Sequence, residues 1–119
     1  MKSCNEQIND VATRNPMKIR HWDPATDGPM SVEAVRERLE GMGYTCAFYI
    51  YTPCTVFPEH THGVDKIDVV LKGRFMINMA GENEILREGD YVFIPRGTLH
   101  RAAVVGGEDV VSIDAERIL

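Results

Sequence analysis

The stretch of sequence most informative about the structure is Gly89-Asp90-Tyr91-Val92-Phe93-Ile94-Pro95-Arg96-Gly97-Thr98-Leu99-His100. Its apolar part, 91–94, consists of aromatic and β-branched residues, which are typical of strands. Gly89 precedes this run, and Pro95 and Gly97, which interrupt regular structure, follow it. The stretch predicts a short strand, a tight turn and a second strand, at 98–105, that carries His100.

Similar short runs, separated by Gly, Pro, Asn and Asp, continue on both sides of this stretch. They predict further strands at 44–51, 55–62, 66–72, 74–80, 83–87 and 108–114. Short strands at this spacing are typical of a small sandwich or barrel, so the predicted fold class is all-β.

The N-terminal part of the chain has a different pattern. Residues 1–30 are interrupted by proline and glycine pairs and predict an irregular arm with one short strand near 17–22. At 31–42, apolar residues recur at spacings of three and four behind the potential N-cap Ser31, which predicts an amphipathic helix. We therefore expect one domain overall, in which an arm and helix at 1–43 pack on a barrel at 44–119.

Composition excludes several classes of partner. The chain has 119 residues and a net charge of -5, the wrong sign for binding nucleic-acid phosphates or anionic lipid. Its longest apolar run, Cys46 to Tyr51, is far shorter than the roughly 20 residues of a membrane-spanning helix. The first residues lack the apolar stretch of a signal peptide, and an odd number of cysteines without CxxC spacing predicts reduced thiols. We expect a cytoplasmic protein that binds neither nucleic acid nor membrane.

Three histidines are candidates for a metal site. His60 and His62 are two residues apart in a predicted strand, so their side chains should project from the same face. His100 follows the 95–97 turn and could supply a third ligand if that segment folds back over the pair. Two solvated or hydrogen-bonded histidines on a polar face are the alternative interpretation of the pair.

These residues resemble the motifs of the cupin superfamily. The second cupin motif has the form G-x5-P-x-G-x2-H-x3-N, and the chain matches it at Gly89, Pro95, Gly97 and His100. Val104 stands in place of the terminal asparagine. The resemblance covers roughly 44–114 and implies a cupin double-stranded β-barrel.

The first cupin motif, G-x5-H-x-H-x3,4-E-x6-G, is matched only in part. His60, His62 and Gly73 stand at its fixed positions, but Cys54 replaces the first glycine and Lys66 occupies the position of the glutamate ligand. The resemblance implies that His60, His62 and His100 bind a divalent transition metal, which could be Fe, Mn, Ni or Zn.

Cupins include dioxygenases, isomerases and binding modules, so the resemblance leaves the activity open. Within the cupin resemblance, a site of histidines without glutamate slightly favours dioxygenase-like chemistry on a small metabolite. This metabolite is anionic if Lys66 contributes to its binding. A non-catalytic module that binds or senses a small molecule without metal is the alternative.

Lys66 is the main departure from the family pattern. A lysine charge about 5 Å from a divalent ion is repelled by about 6 to 7 kcal/mol at an effective dielectric near 20. Lys66 could pair with Asp68 and leave a neutral three-histidine site, or a bulge could bring Asp65 inward as the fourth ligand. Alternatively, Lys66 and the histidines could bind an anionic ligand without metal, and Arg96 could also meet such a ligand.

Strand alternation leads to a different expectation for Lys66. Ile67, Val69 and Leu71 form an apolar row, whereas Lys66 and Asp68 lie on the opposite face, which alternation alone would turn to solvent. The cupin pattern turns that face into the barrel, and the apolar row then needs cover from the arm, the helix or a second subunit. We expect a homodimer on this ground.

Overall fold

The computed structural model describes residues 17–118 of the chain. These residues form two helices and nine strands. In chain order the elements are β1 (Ile19–His21), α1 (Pro24–Asp27), α2 (Val32–Gly41), β2 (Tyr44–Tyr51), β3 (Val56–His60), β4 (Lys66–Lys72), β5 (Phe75–Met79), β6 (Glu82–Leu86), β7 (Asp90–Ile94), β8 (His100–Val104) and β9 (Val110–Arg117).

The strands form two antiparallel sheets, which confirms the predicted all-β fold. The first sheet has the order β1-β7-β4-β9-β2, and the second sheet has the order β3-β8-β5-β6. Both segments predicted from the Gly89–His100 stretch are strands, β7 in the first sheet and β8 in the second. The 95–97 turn therefore carries the chain from one sheet to the other.

The main core lies among residues of both sheets, and it is filled by Met17 and by apolar side chains of β4 to β9. Its buried members are Met17, Val70, Phe75, Ile77, Met79, Leu86, Val92, Ile94, Ala102, Val104 and Val110. Val104, at the position where the second motif has asparagine, is one of these packed residues and is 1% exposed.

A second apolar cluster joins helix α2 to the first sheet. Val35 and Leu39 of α2 are buried against Ile67 and Val69 of β4. Ser31 caps the helix by accepting a hydrogen bond from the amide of Ala34 at 3.0 Å. The apolar row of β4 is thus covered by the chain's own helix, and the argument that it needs a second subunit was wrong.

Two features of the described residues were not expected from the sequence. Helix α1 begins at Pro24 behind the N-cap Asp23, in a stretch that we predicted to be irregular. Cys54 is disulfide-bonded, which corrects the expectation that it is reduced, whereas Cys46 is a free thiol and Cys4 lies outside the described residues. Cys54 has a φ of 72°, so the backbone keeps the left-handed conformation that glycine favours at this motif position.

Gly73, the last fixed residue of the first motif, is required by its surroundings. Its φ is 89°, and a Cβ there would overlap the backbone carbonyl oxygen of Asp109. Gly81 has a similar φ of 78°, but nothing lies within 4 Å of a Cβ added there. The two glycines therefore separate backbone strain from steric overlap.

We predict that Gly73→Ala destabilises the protein more than Gly81→Ala. Both substitutions carry the left-handed penalty of about 1 to 2 kcal/mol, and overlap at Gly73 adds about 1 to 3 kcal/mol. The free energy of unfolding from urea titration measures the difference. Equal losses in the two variants would contradict the close approach of Asp109.

Candidate metal site

Two paired strands bring His60 and His100 together. His60 ends β3, His100 begins β8, and the two residues lie opposite each other in the ladder between these strands. The register shifts between Phe57 and His60, so β3 holds an extra residue in the segment that contains Pro58. Proline is tolerated there because β3 is an edge strand of the second sheet.

His62 completes a cluster of three imidazole rings. The ring centroids are 4.2 Å apart for His60 and His100, 4.7 Å for His60 and His62, and 5.0 Å for His62 and His100. One nitrogen of each ring lies within 4.8 Å of the others, so the three side chains could hold one metal ion. The structure therefore brings together the three histidines that the motifs predicted.

Backbone hydrogen bonds determine which ring nitrogens are free. His60 Nδ1 lies 2.6 Å from the Pro58 carbonyl oxygen, and His100 Nδ1 lies 2.9 Å from the Thr98 carbonyl oxygen. A carbonyl oxygen only accepts, so each Nδ1 carries the proton and donates it. This leaves Nε2 of both rings with a lone pair, which is the arrangement typical of histidines that bind metal.

The surroundings of His62 and His100 favour neutral imidazoles. Burial lowers the pKa of His62, and the charge of Lys66 and the neighbouring rings lower it further. Burial likewise lowers the pKa of His100, with His60 and Lys66 contributing. Neutral imidazole is the form that binds metal, so the donor set fits a transition-metal ion.

Two hydrogen bonds attach the 95–97 turn to the loop after His62. The amide of Gly97 donates to the His62 carbonyl oxygen at 2.8 Å. The amide of Arg96 donates to Asp65 Oδ1, also at 2.8 Å. These bonds hold the segment that precedes His100 against the segment that carries His62.

The predicted roles of Asp65 and Arg96 are therefore corrected. Asp65 is not part of the histidine cluster, since its carboxylate accepts from the turn, and the interpretation of Asp65 as a fourth ligand was wrong. Arg96 is exposed and does not line the cavity beside the histidines. Arg96 belongs to the 95–97 turn, and Asp65 belongs to the loop after His62 that holds this turn in place.

Lys66 faces the barrel interior, as the cupin pattern implied, and strand alternation was wrong to turn it to solvent. Its side chain is 6% exposed, and its Nζ lies 2.9 Å from Asp114 and 3.3 Å from Glu116. The expected partner, Asp68, is thus replaced by these two carboxylates of β9. They neutralise the charge that would otherwise repel a metal ion.

The balance of forces on Lys66 keeps it protonated. Burial lowers its pKa, but hydrogen bonds and charge attraction from Asp114 and then Glu116 outweigh this effect and raise the pKa above its usual value. Lys66 is therefore a permanent cation, and the carboxylates of Asp114 and Glu116 on the neighbouring strand β9 balance its charge.

The cluster opens into a cavity of about 140 Å³. Its lining combines aromatic, imidazole, acidic and basic side chains: Tyr51, Phe57, His60, His62, Lys66, Asp68, Phe75, His100, Ala102 and Asp114. Tyr51 stacks on Phe75 at 5.5 Å and meets Phe57 edge-on at 4.9 Å, which makes one wall apolar. Burial, followed by the charges of Asp68 and Asp114, raises the pKa of Tyr51, so its hydroxyl stays protonated.

Two larger hollows lie elsewhere. These two have volumes of about 440 and 360 Å³, share Lys18 and Phe93, and contain none of the three clustered histidines. Two more hollows, of about 380 and 290 Å³, likewise contain none of them. We favour the smaller cavity as the functional site because polar groups converge there, which is typical of ligand sites.

Asp114 and Glu116 were missed by the sequence reasoning. Asp114 lies between the apolar residues Ile113 and Ala115 of β9, and an acid inside an apolar strand was the available signal. Its partnership with Lys66 depends on β4 and β9 being neighbours, which no motif indicates.

The family assignment rests on the sequence and the structure together. The Cupin domain family profile matches residues 47–116 of this chain. A germin-like protein, subfamily 1 member 4, of Arabidopsis thaliana is 32% identical over 91 residues, which are 66% of this chain and 41% of that protein. The chain thus spans less than half the length of this curated relative.

Solved structures show the same fold. A cupin-2 domain containing protein from Shewanella frigidimarina has a TM-score of 0.55 and 20% identity, with 83% of each chain covered. The DMSP lyase DddQ from Ruegeria pomeroyi has a TM-score of 0.58 and 22% identity over 64% of this chain and 39% of that chain. This protein belongs to the cupin superfamily.

We predict that Lys66→Met destabilises the protein by about 3 kcal/mol, the low end for removing one partner of a buried ion pair. The reason is that Asp114 and Glu116 lose their shared cation. Lys72→Met, at an exposed position of the same strand, is the control and should change stability little. Denaturant titration at pH 7 measures both, and equal stabilities would contradict the pairing.

Proposed function

We propose that this cupin binds one divalent transition-metal ion through His60, His62 and His100. The observation that carries the proposal is the pair of Nδ1 donor bonds to backbone carbonyls, which leaves Nε2 of His60 and His100 free within one cluster. Imidazole donors suit Fe, Ni and Zn, and Mn remains the fourth candidate. When bound, the metal would supply Lewis-acid polarisation of a substrate oxygen.

The chain's own residues favour a small substrate held against an aromatic wall. The cavity of about 140 Å³ limits its size, and Tyr51 presents a protonated hydroxyl that can donate a hydrogen bond. Three neutral imidazoles do not offset the charge of a dication, so an anionic substrate is favoured over a cationic one. We propose dioxygenase-like turnover first, with isomerase chemistry as the second reaction class.

The alternative is a metal-free module that binds or senses an anionic molecule through Lys66. This alternative has weaker support, because Lys66 Nζ already contacts Asp114 and Glu116 and its charge is matched. Oxygen uptake or product formation with a narrow group of small acids would favour the enzyme, and affinity without turnover would favour the module.

Metal binding should depend on the three clustered histidines and not on His21, the fourth histidine of the chain. We predict one ion per chain by elemental analysis of tag-free protein titrated with Mn(II), Ni(II) or Zn(II). His60→Ala and His100→Ala should each weaken binding by more than about 100-fold, above the effect of losing an outer hydrogen bond. His21→Ala is the matched control, since His21 is exposed and paired with Asp90. Equal affinity in all these variants would overturn the proposed site.

We also propose a homodimer. The apolar row of β4 no longer supports it, because helix α2 covers that row, but strand β2 does. Strand β2 lies at the edge of the first sheet, and Phe48 and Ile50 on one of its faces are 51% and 56% exposed. Among the described strands, no neighbour pairs with this edge of β2, and an edge strand with exposed apolar side chains is suited to pairing with a second copy.

The double variant Phe48→Lys, Ile50→Lys should therefore be monomeric when the wild type is dimeric. Charged side chains on an edge strand oppose pairing. Val56→Lys, at a residue that is 50% exposed on β3, is the control and should remain dimeric. Light scattering at micromolar concentration measures the mass, and a monomeric wild type would refute the dimer.

The cytoplasmic location remains a prediction. None of the described helices is long and apolar enough to span a membrane.

A further inference from the structure

Asp68 and Asp114 lie directly opposite each other in the ladder between β4 and β9. Both residues line the cavity that contains the three histidines. Like charges at directly opposed positions of a sheet destabilise it, so two ionised carboxylates at this pair require an explanation.

The hydrogen bonds of Asp114 are incomplete. Lys66 Nζ donates to Oδ2 of Asp114 at 3.0 Å. The same Nζ is 2.9 Å from Oδ1 but is not in hydrogen-bond geometry, and Oδ1 is buried without a donor. A buried acceptor that lacks a donor is costly, and a protonated Asp68 would provide one.

The environment of Asp68 favours its protonated form. Burial raises the pKa of Asp68 to about 8, and the charge and hydrogen bonding of Asp114 contribute, while Lys66 opposes the shift. The other titratable or charged groups around the cavity are Glu116 from β9, Tyr51 from β2, His60 from β3, His62 just after β3, and His100 from β8. The carboxyl groups of the pair can then share one proton between them.

We propose that Asp68 and Asp114 share one proton near neutral pH and release it when a divalent cation binds the three histidines. This inference rests on the proposed metal binding. Asp68 and Asp114, the acid pair, then provide negative charge beside the metal. Lys66, which occupies the usual glutamate position, cannot provide it. The step is a simple proton transfer to solvent, without oxidation or bond rearrangement.

Asp68, Asp114 and the three histidines line one cavity, so their charges interact. The charge of Asp114 raises the pKa of His62 and of His100, against the stronger effect of burial. A dication on those rings acts on the same carboxyl pair with the opposite sign and lowers its pKa. By linkage, a pair that loses its proton binds the dication more tightly.

Proton release on Zn(II) binding tests this coupling. Calorimetric titrations at pH 7 in buffers of different ionisation enthalpy count the protons released. Asp68→Asn is the matched variant, because its amide can still donate to Asp114 but cannot ionise. The wild type should release close to one proton more than Asp68→Asn, and its Zn(II) affinity should rise more steeply between pH 6 and 8.

The outcomes separate this inference from the proposed function. If Zn(II) binds both proteins with the same proton release and the same pH dependence, the shared proton is refuted and metal binding stands. If Zn(II) binds neither protein, the proposed function fails first, and the metal-free protein still tests the proton.

In the metal-free protein, the test is the pH dependence of the free energy of unfolding, measured for wild type and for Asp68→Asn. A carboxyl whose pKa is higher in the folded than in the unfolded state stabilises the fold at low pH and loses that contribution as pH rises through the folded pKa. Wild type should therefore lose stability relative to Asp68→Asn between about pH 4 and pH 8. Parallel curves would overturn the shared proton.

A measurement on wild type alone covers the case in which Asp68→Asn does not fold. The infrared carbonyl stretch of a protonated carboxyl group should be present at pH 7 and should disappear when Zn(II) is added. Its absence at pH 7, or its persistence after Zn(II) is bound, would contradict the proposal.

Discussion

A lysine buried beside three histidines needs negative charge within hydrogen-bonding distance, and the pairing of β4 with β9 supplies it. Glu116 lies opposite Lys66 in this ladder, and Asp114 lies two residues earlier on the same face. Asp114 and Glu116 together neutralise Lys66. Without them, the lysine charge would oppose both its own burial and the occupation of the histidine cluster by a cation.

The rest of the site depends on contacts between segments that are far apart in the chain. His60 and His100 are brought together by the β3–β8 ladder, and the 95–97 turn is hydrogen-bonded to His62 and Asp65. The motif residue Gly97 therefore acts on the site through its backbone amide. The same turn connects the two sheets, so one segment both positions the site and joins β7 of the first sheet to β8 of the second.

Local patterns were sufficient to predict the strands, helix α2 and the convergence of the histidines. Punctuated β-branched runs located the strands, and the i, i+2 spacing with the second motif indicated the cluster. The carboxylate partners of Lys66 were not predictable, because a cross-strand register between 66–68 and 114–116 is a property of the topology. For the same reason Asp65 stayed open as a possible fourth ligand, although its carboxylate accepts from the backbone amide of Arg96 in the distant turn.

We infer that His60, His62 and His100 form a metal site and that Asp114 and Glu116 of β9 neutralise the neighbouring Lys66. Anomalous diffraction from crystals of the protein loaded with Ni(II) tests it most directly. We predict one anomalous peak about 2.0 to 2.2 Å from a nitrogen of each of His60, His62 and His100, with Lys66 Nζ still in contact with Asp114. A peak elsewhere, such as beside His21 and Asp90, would contradict the proposed metal site, and a Lys66 released from Asp114 would contradict its neutralisation by β9.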